Sequence, residues 1–171
     1  MILGTALLRT SKFSEARERF ERVIEIRPNL GAAKMGLGIA LRRSGDAKDA
    51  LSIFESIVAS KPSWRAAQLE FGETLLVLNR LEAAKNAFNK AEALGAQPHV
   101  IKKRLGEYYV SIKKLDQAQS IFKNIIDTDN ADETIYINLS EIEQSKFSHD
   151  KAMKWLVRGG QKYPDSALLK F

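Results

Sequence analysis

Residues 31–64 read GAAKMGLGIALRRSGDAKDALSIFESIVASKPSW, two helix-length stretches joined at Ser44-Gly45-Asp46. The stretch recurs. Steps of 34 residues from Gly38 land on Gly4, Gly72, Gly106 and Ser140, and the same step from Leu37 gives Leu3, Phe71, Leu105 and Leu139. From Ala50 it gives Ala16, Ala84, Ala118 and Ala152, and from Phe54 it gives Phe20, Phe88, Phe122 and Leu156. Pro62 has counterparts at Pro28 and Pro164. A period of 34 that runs without insertion marks a repeat architecture, in which each unit is one supersecondary element.

The residue types at these positions give the repeat its physical sense. Gly38 and Ala50 are small where two antiparallel helices must approach closely. Leu37, Leu41, Phe54, Ile57 and Val58 fall at helical spacing on the inward faces. One hairpin alone cannot bury that much apolar surface, whereas stacked neighbours bury it continuously. The fold class read from the pattern is all-α, an α-solenoid.

A 34-residue helix-turn-helix repeat with these spacings resembles the tetratricopeptide repeat (TPR) family. The best match is residues 99–132, with Leu105, Gly106, Tyr109, Ala118 and Phe122. Residues 31–64 match at Leu37, Gly38, Ala50, Phe54 and Pro62, but carry Lys34 and Leu41 where the family has aromatics. The resemblance implies a right-handed superhelix of antiparallel helix pairs, about five repeats in a single TPR-like domain spanning residues 1–171. A partial repeat occupies residues 1–30, complete ones follow at 31–64, 65–98, 99–132 and 133–166, and residues 167–171 begin a further helix. Neither end carries a polar capping face, so the sequence reads as part of a longer chain.

Local signals punctuate the repeats. Ser11 or Ser14, Asn29, Asp46 and Ser63 are expected to cap the helices that follow them. Gly45 supplies a left-handed turn, and Pro28 stops the helix before it. Asn130 with Glu133 forms a capping-box-like pair. The fifth repeat departs most, with Ser140 for glycine, His149 in an apolar slot and Gly159-Gly160 inside its second helix, so this end is expected to fray first.

Composition excludes several function classes. There is no cysteine, hence no disulfide or thiolate metal site. The two histidines, His99 and His149, are far apart, which disfavours zinc. No phosphate-binding loop and no nucleophile elbow occurs, so no cofactor and no enzyme activity are expected. Glu15, Glu18, Glu21 and Glu25 read as solvated helix surface. The opening MILGTALL is too short for a signal peptide and fits the repeat register. No stretch is long enough to insert into a membrane, and a cytoplasmic location is favoured. The net charge of +6 comes from interspersed signs. Arg42-Arg43, Lys102-Lys103-Arg104 and Lys113-Lys114 lack an aromatic stacking platform, which disfavours nucleic acid.

The family resemblance also implies a site. In TPR proteins the first helices of successive repeats line a concave groove that takes extended peptides or helices. Carried onto this sequence, the groove slots include Met35, Ile39, Arg42 and Arg43, then Leu69, Glu70, Glu73, Leu76 and Val77. Lys103, Arg104, Glu107 and Val110 follow, then Ile137, Asn138 and Glu141. Glu73, Glu107 and Glu141 share one slot and make an acidic row beside a partly apolar floor. Such a surface suits a basic amphipathic helix, burial giving affinity and charge giving orientation. The chaperone-binding members of the family clamp a C-terminal carboxylate with a Lys and an Asn. Here Lys103 is followed by Glu107 in the second of those slots, which disfavours chaperone tails. The function expected is therefore a non-catalytic protein–protein interaction scaffold. The alternatives are a self-association or assembly module, and a regulatory or output domain of a multidomain signalling protein.

Overall fold

The computed structural model describes residues 1–169, and ten α-helices and no strands occur among them. They are α1 (Ile2–Arg9), α2 (Phe13–Ile26), α3 (Gly31–Ser44), α4 (Ala47–Ser60), α5 (Arg65–Val77) and α6 (Leu81–Ala93), then α7 (Pro98–Ser111), α8 (Leu115–Asp127), α9 (Glu133–Ser145) and α10 (His149–Lys162). Residues 167–169 form turns and a bend. Lys170 and Phe171, to which the sequence extends a further helix, lie outside the described residues. The helices fall into two compact units, Met1–Ala96 with α1–α6 and a second that begins at Gln97 with α7–α10. In both, each odd-numbered helix packs on the even-numbered one that follows it. The chain is an all-α helical repeat.

In the first unit the pairing is set by glycine against phenylalanine. A Cβ added at Gly4, Gly38 or Gly72 would lie within 3.0 Å of the ring of Phe20, Phe54 or Phe88 on the partner helix. The three rings are fully enclosed, each no more than 1% exposed. Phe20 is also covered from the other side, because Gly36 on α3 leaves no room for a Cβ beside the same ring. It thus wedges between α1 and α3, with Leu7, Ala16, Ala33 and Ala40 completing that cluster. Around Phe54 the core consists of Leu41, Ala50, Ile57 and Ala67, with Trp64 and Phe71 against it.

The second unit uses the same device at Gly106 and Phe122. Its core runs through Ala118, Ile125, Ile126, Ile135, Tyr136, Leu139 and Ile142. The α9–α10 pair exchanges the sizes. Tyr136, 1% exposed, stands where the other repeats carry Lys34, Gln68 and Lys102. A Cβ on Gly159 would meet Tyr136 Cβ at 2.9 Å, so the interior glycine makes room for the tyrosine. Tyr163 crosses Tyr136 edge-on at 6.1 Å and donates its hydroxyl hydrogen bond to the Ala131 carbonyl.

The turns match the sequence at Gly45 and differ elsewhere. Left-handed backbone occurs at Ser11 (φ 58°), Gly45 (102°), Asn79 (57°), Lys113 (61°) and Phe147 (58°), each 34 residues from the next. Glycine holds the slot once, although it is the residue that adopts this conformation without steric cost. The expected caps shift. Lys12, Leu30 and Trp64 occupy the N-cap positions of α2, α3 and α5, and Asp46 precedes α4 without bonding its amides. The capping oxygen of α9 belongs to Asp132, not Asn130. It accepts from the Thr134 and Ile135 amides, while Asn130 Nδ2 turns back to the Thr128 carbonyl.

Candidate binding surface

Met35, Ile39 and Arg42 follow one another at i, i+4 and i+7 on α3, so they share one face of that helix. Met35 and Ile39 are half-buried and pack at the edge of the Phe54 cluster. Leu69 on α5 is half-buried too, and Val77, near the end of that helix, is 56% exposed. Leu76 is 6% exposed and belongs to the interior, so it presents nothing to a ligand. Gly36, the neighbour of Met35 on α3, is likewise turned inward onto Phe20.

An ion cluster joins α3 to α5. Arg42 pairs through Nη2 with Glu70 and, at 2.6 Å, with Glu73. The Arg42 side chain is only 10% exposed and those of Glu70 and Glu73 are 19% and 21% exposed. Partial burial removes competing water and strengthens such contacts relative to those on an open surface. Glu73 is thus one arm of a fixed triad in which two carboxylates face one guanidinium. Arg43 turns to α2 and stacks over the Phe13 ring at 5.3 Å.

The corresponding positions of the second unit carry a similar polar frame. Lys103 on α7 reaches Asp132, the cap of α9, at 2.6 Å. The Thr134 hydroxyl also donates to Asp132, at 2.6 Å. Burial opposes ionisation of Asp132, but Lys103, Thr134 and the Ile135 amide outweigh it, and its pKa lies below the usual range. Glu107 shifts the other way. Desolvation of its carboxyl raises the pKa, Asp132 adds to the rise, and Lys103 and Arg104 counter it. Val110, half-buried, packs on the core beneath α9, while Ile137 and Asn138 are half-buried on α9 and Glu141 is exposed. Arg104 is half-buried on α7.

The sequence reading places these residues on the first helices of the repeats, and that is where they lie. What it did not supply is the internal pairing: Arg42 with Glu70 and Glu73, Lys103 with Asp132, Arg43 with Phe13. Asp132 escaped notice because it falls one residue before the helix, outside the slots carried over from the family. An Asp-x-Thr sequence before an apolar run was the available signal. Among the described residues no helix is long and apolar enough to cross a membrane.

Residues 3–63 match the family model described as tetratricopeptide repeat. No curated protein matches the sequence. Several solved structures share the fold. TTC0263, a thermophilic TPR protein of Thermus thermophilus, gives a TM-score of 0.78 at 20% identity, covering 99% of this chain and 92% of that one. MamA gives 0.63 at 21% identity with 98% of both chains covered. A chain of the APC/C hetero-tetramer Cut9–Hcn1 gives 0.70 at 19% identity, over 98% of this chain and 34% of that one.

Proposed function

Residues 3–63 belong to the tetratricopeptide repeat family and the other helix pairs share its fold, and from this premise we propose that the protein binds a peptide or helix of a partner protein along the first helices of its repeats. Tetratricopeptide repeats commonly act as non-catalytic interaction scaffolds, and one structure of this fold is a subunit of an assembly, the Cut9–Hcn1 hetero-tetramer. The observation that carries the reading is the patch on α3 and α5, where Met35, Ile39 and Leu69 stand half-buried beside the Arg42–Glu70–Glu73 triad. Half-exposed apolar side chains within a fixed polar frame supply burial and orientation together, as interfaces require. The carboxylates of Glu70 and Glu73 at the edge of this floor favour a basic residue on the partner's apolar face, and Glu107 offers the same charge in the second unit.

Selection of displayed random peptides on the whole chain tests the proposal. Selected peptides are expected to combine apolar and basic residues, and Glu73→Gln with Glu107→Gln is expected to weaken them about tenfold. A control pair on second helices, Glu55→Gln with Glu82→Gln, is expected to leave affinity unchanged. Equal loss in both pairs, or none in the first, overturns the assignment.

A further inference from the structure

A separate cavity of about 440 Å³ opens in the second unit among α8, the end of α9 and α10. Its volume falls in the range of small-ligand sites. Lys151, Lys154, Trp155 and Arg158 line it at i, i+3, i+4 and i+7, one face of α10. Lys123 faces it from α8 and Lys146 from the residue that ends α9. The lining thus holds five cations against a single carboxylate, Glu143.

That carboxylate is already engaged. Glu143 is 5% exposed and accepts a hydrogen bond from Gln119 Nε2. Lys146 is engaged as well, with Asp116 at 2.5 Å and Gln119 Oε1 at 3.0 Å. Lys123, Lys151 and Lys154 have no ion pair among the described residues. Three exposed lysines without an ion pair therefore line one cavity, beside Gln119, Glu143 and Lys146, whose polar groups engage each other. Like charges gathered around one concavity raise the local potential and attract an anion.

We propose that this cavity is a second binding site, for an acidic peptide segment, distinct from the first-helix surface. Trp155 decides between peptide and nucleic acid. Its ring packs against the core cluster, and the Arg158 guanidinium lies 5.5 Å from the ring centroid on one face. A ring covered in this way offers no open platform for a nucleobase, which single-strand binders supply. Spacing points the same way. Lys151 to Arg158 spans roughly 10 Å along the helix, and carboxylates at alternate positions of an extended peptide repeat at about 7 Å. Two or three acidic side chains at alternate positions therefore reach the whole row.

Titration of the full chain with an acetylated (Glu-Ser)5 peptide tests the proposal, read by Trp155 fluorescence in a Trp64→Phe background that leaves no other tryptophan. A saturable change that weakens with added salt is expected. Lys151→Glu with Lys154→Glu is expected to weaken binding by about tenfold or more, while Lys113→Glu with Lys114→Glu keeps it within about twofold. No saturable change, or equal loss in the two variants, overturns the site. A ten-nucleotide oligouridylate that quenches Trp155 and binds more tightly than the peptide overturns the choice of partner.

Discussion

At Gly72 a single added methyl group would collide with the Phe88 ring on the partner helix, and four of the helix pairs use this contact. Gly72→Ala gains helix propensity, about 1 kcal/mol, but overpacks a closed core at a cost of about 1–3 kcal/mol. Net destabilisation is expected in urea denaturation. A Gly72→Ala/Phe88→Leu double variant is expected to lose less than the sum of the two singles, since the fifth repeat already carries Ser140 and Leu156 in these slots. Asp132 is the second residue whose effect is large for its size. Replacement by alanine removes the cap of α9 and is expected to cost about 1 kcal/mol. Its folded pKa is lowered, so its contribution is present above the ordinary aspartate range and is lost as pH falls through the folded value. Asp132→Asn is therefore expected to flatten the acid limb of a Tm-against-pH curve. The glycine–phenylalanine contact was legible in the sequence because both residues recur at a fixed step. The cap was not, since Asp127, Asp129, Asn130 and Asp132 crowd one turn and only the backbone path selects among them.

Within the elements, the turn inside each repeat holds a left-handed residue at one slot. Sequence alone identifies it only at Gly45, because Ser11, Asn79, Lys113 and Phe147 share no chemistry. Of these four only asparagine favours the left-handed region by itself. Phe147 is 88% exposed, so glycine at that position loses no packing. Phe147→Gly is expected to raise stability by about 1 kcal/mol, relieving the cost of left-handed backbone for a bulky residue. Helix α10 makes the complementary point. Read as a pair, Gly159-Gly160 weakens the helix, but the two glycines differ. A Cβ on Gly160 meets only the Leu169 carbonyl oxygen at 3.9 Å, whereas one on Gly159 strikes Tyr136. Gly160→Ala is expected to raise the melting temperature and Gly159→Ala to lower it. Tyr136 in a slot held elsewhere by Lys or Gln was the signal for that difference. The face of α10 bearing Lys151, Lys154, Trp155 and Arg158 was equally present in the sequence. A cationic stripe becomes a site only when α8 and α9 close a cavity against it.

For the whole molecule, repetition explains why architecture is legible and specificity is not. Four of the five helix pairs solve the same packing problem with the same small and large residues, so the period by itself reveals the fold. Binding depends on the residues free to vary between repeats, and their pairing arises only in three dimensions. Arg42 illustrates this: by register it is a basic residue of the binding face, and in the structure it is the counterion of Glu70 and Glu73. The surface proposed for a partner is therefore the half-exposed apolar floor with the carboxylates that frame it. Methyl NMR during titration with a selected peptide tests that conclusion directly. The methyl signals of Met35, Ile39 and Leu69 on the first helices α3 and α5, and of Val110 and Ile137 on α7 and α9, are expected to shift. Those of Ile53, Val58 and Ile121 on the second helices α4 and α8 are expected to stay in place. Shifts confined to the second helices would contradict binding along the first-helix face.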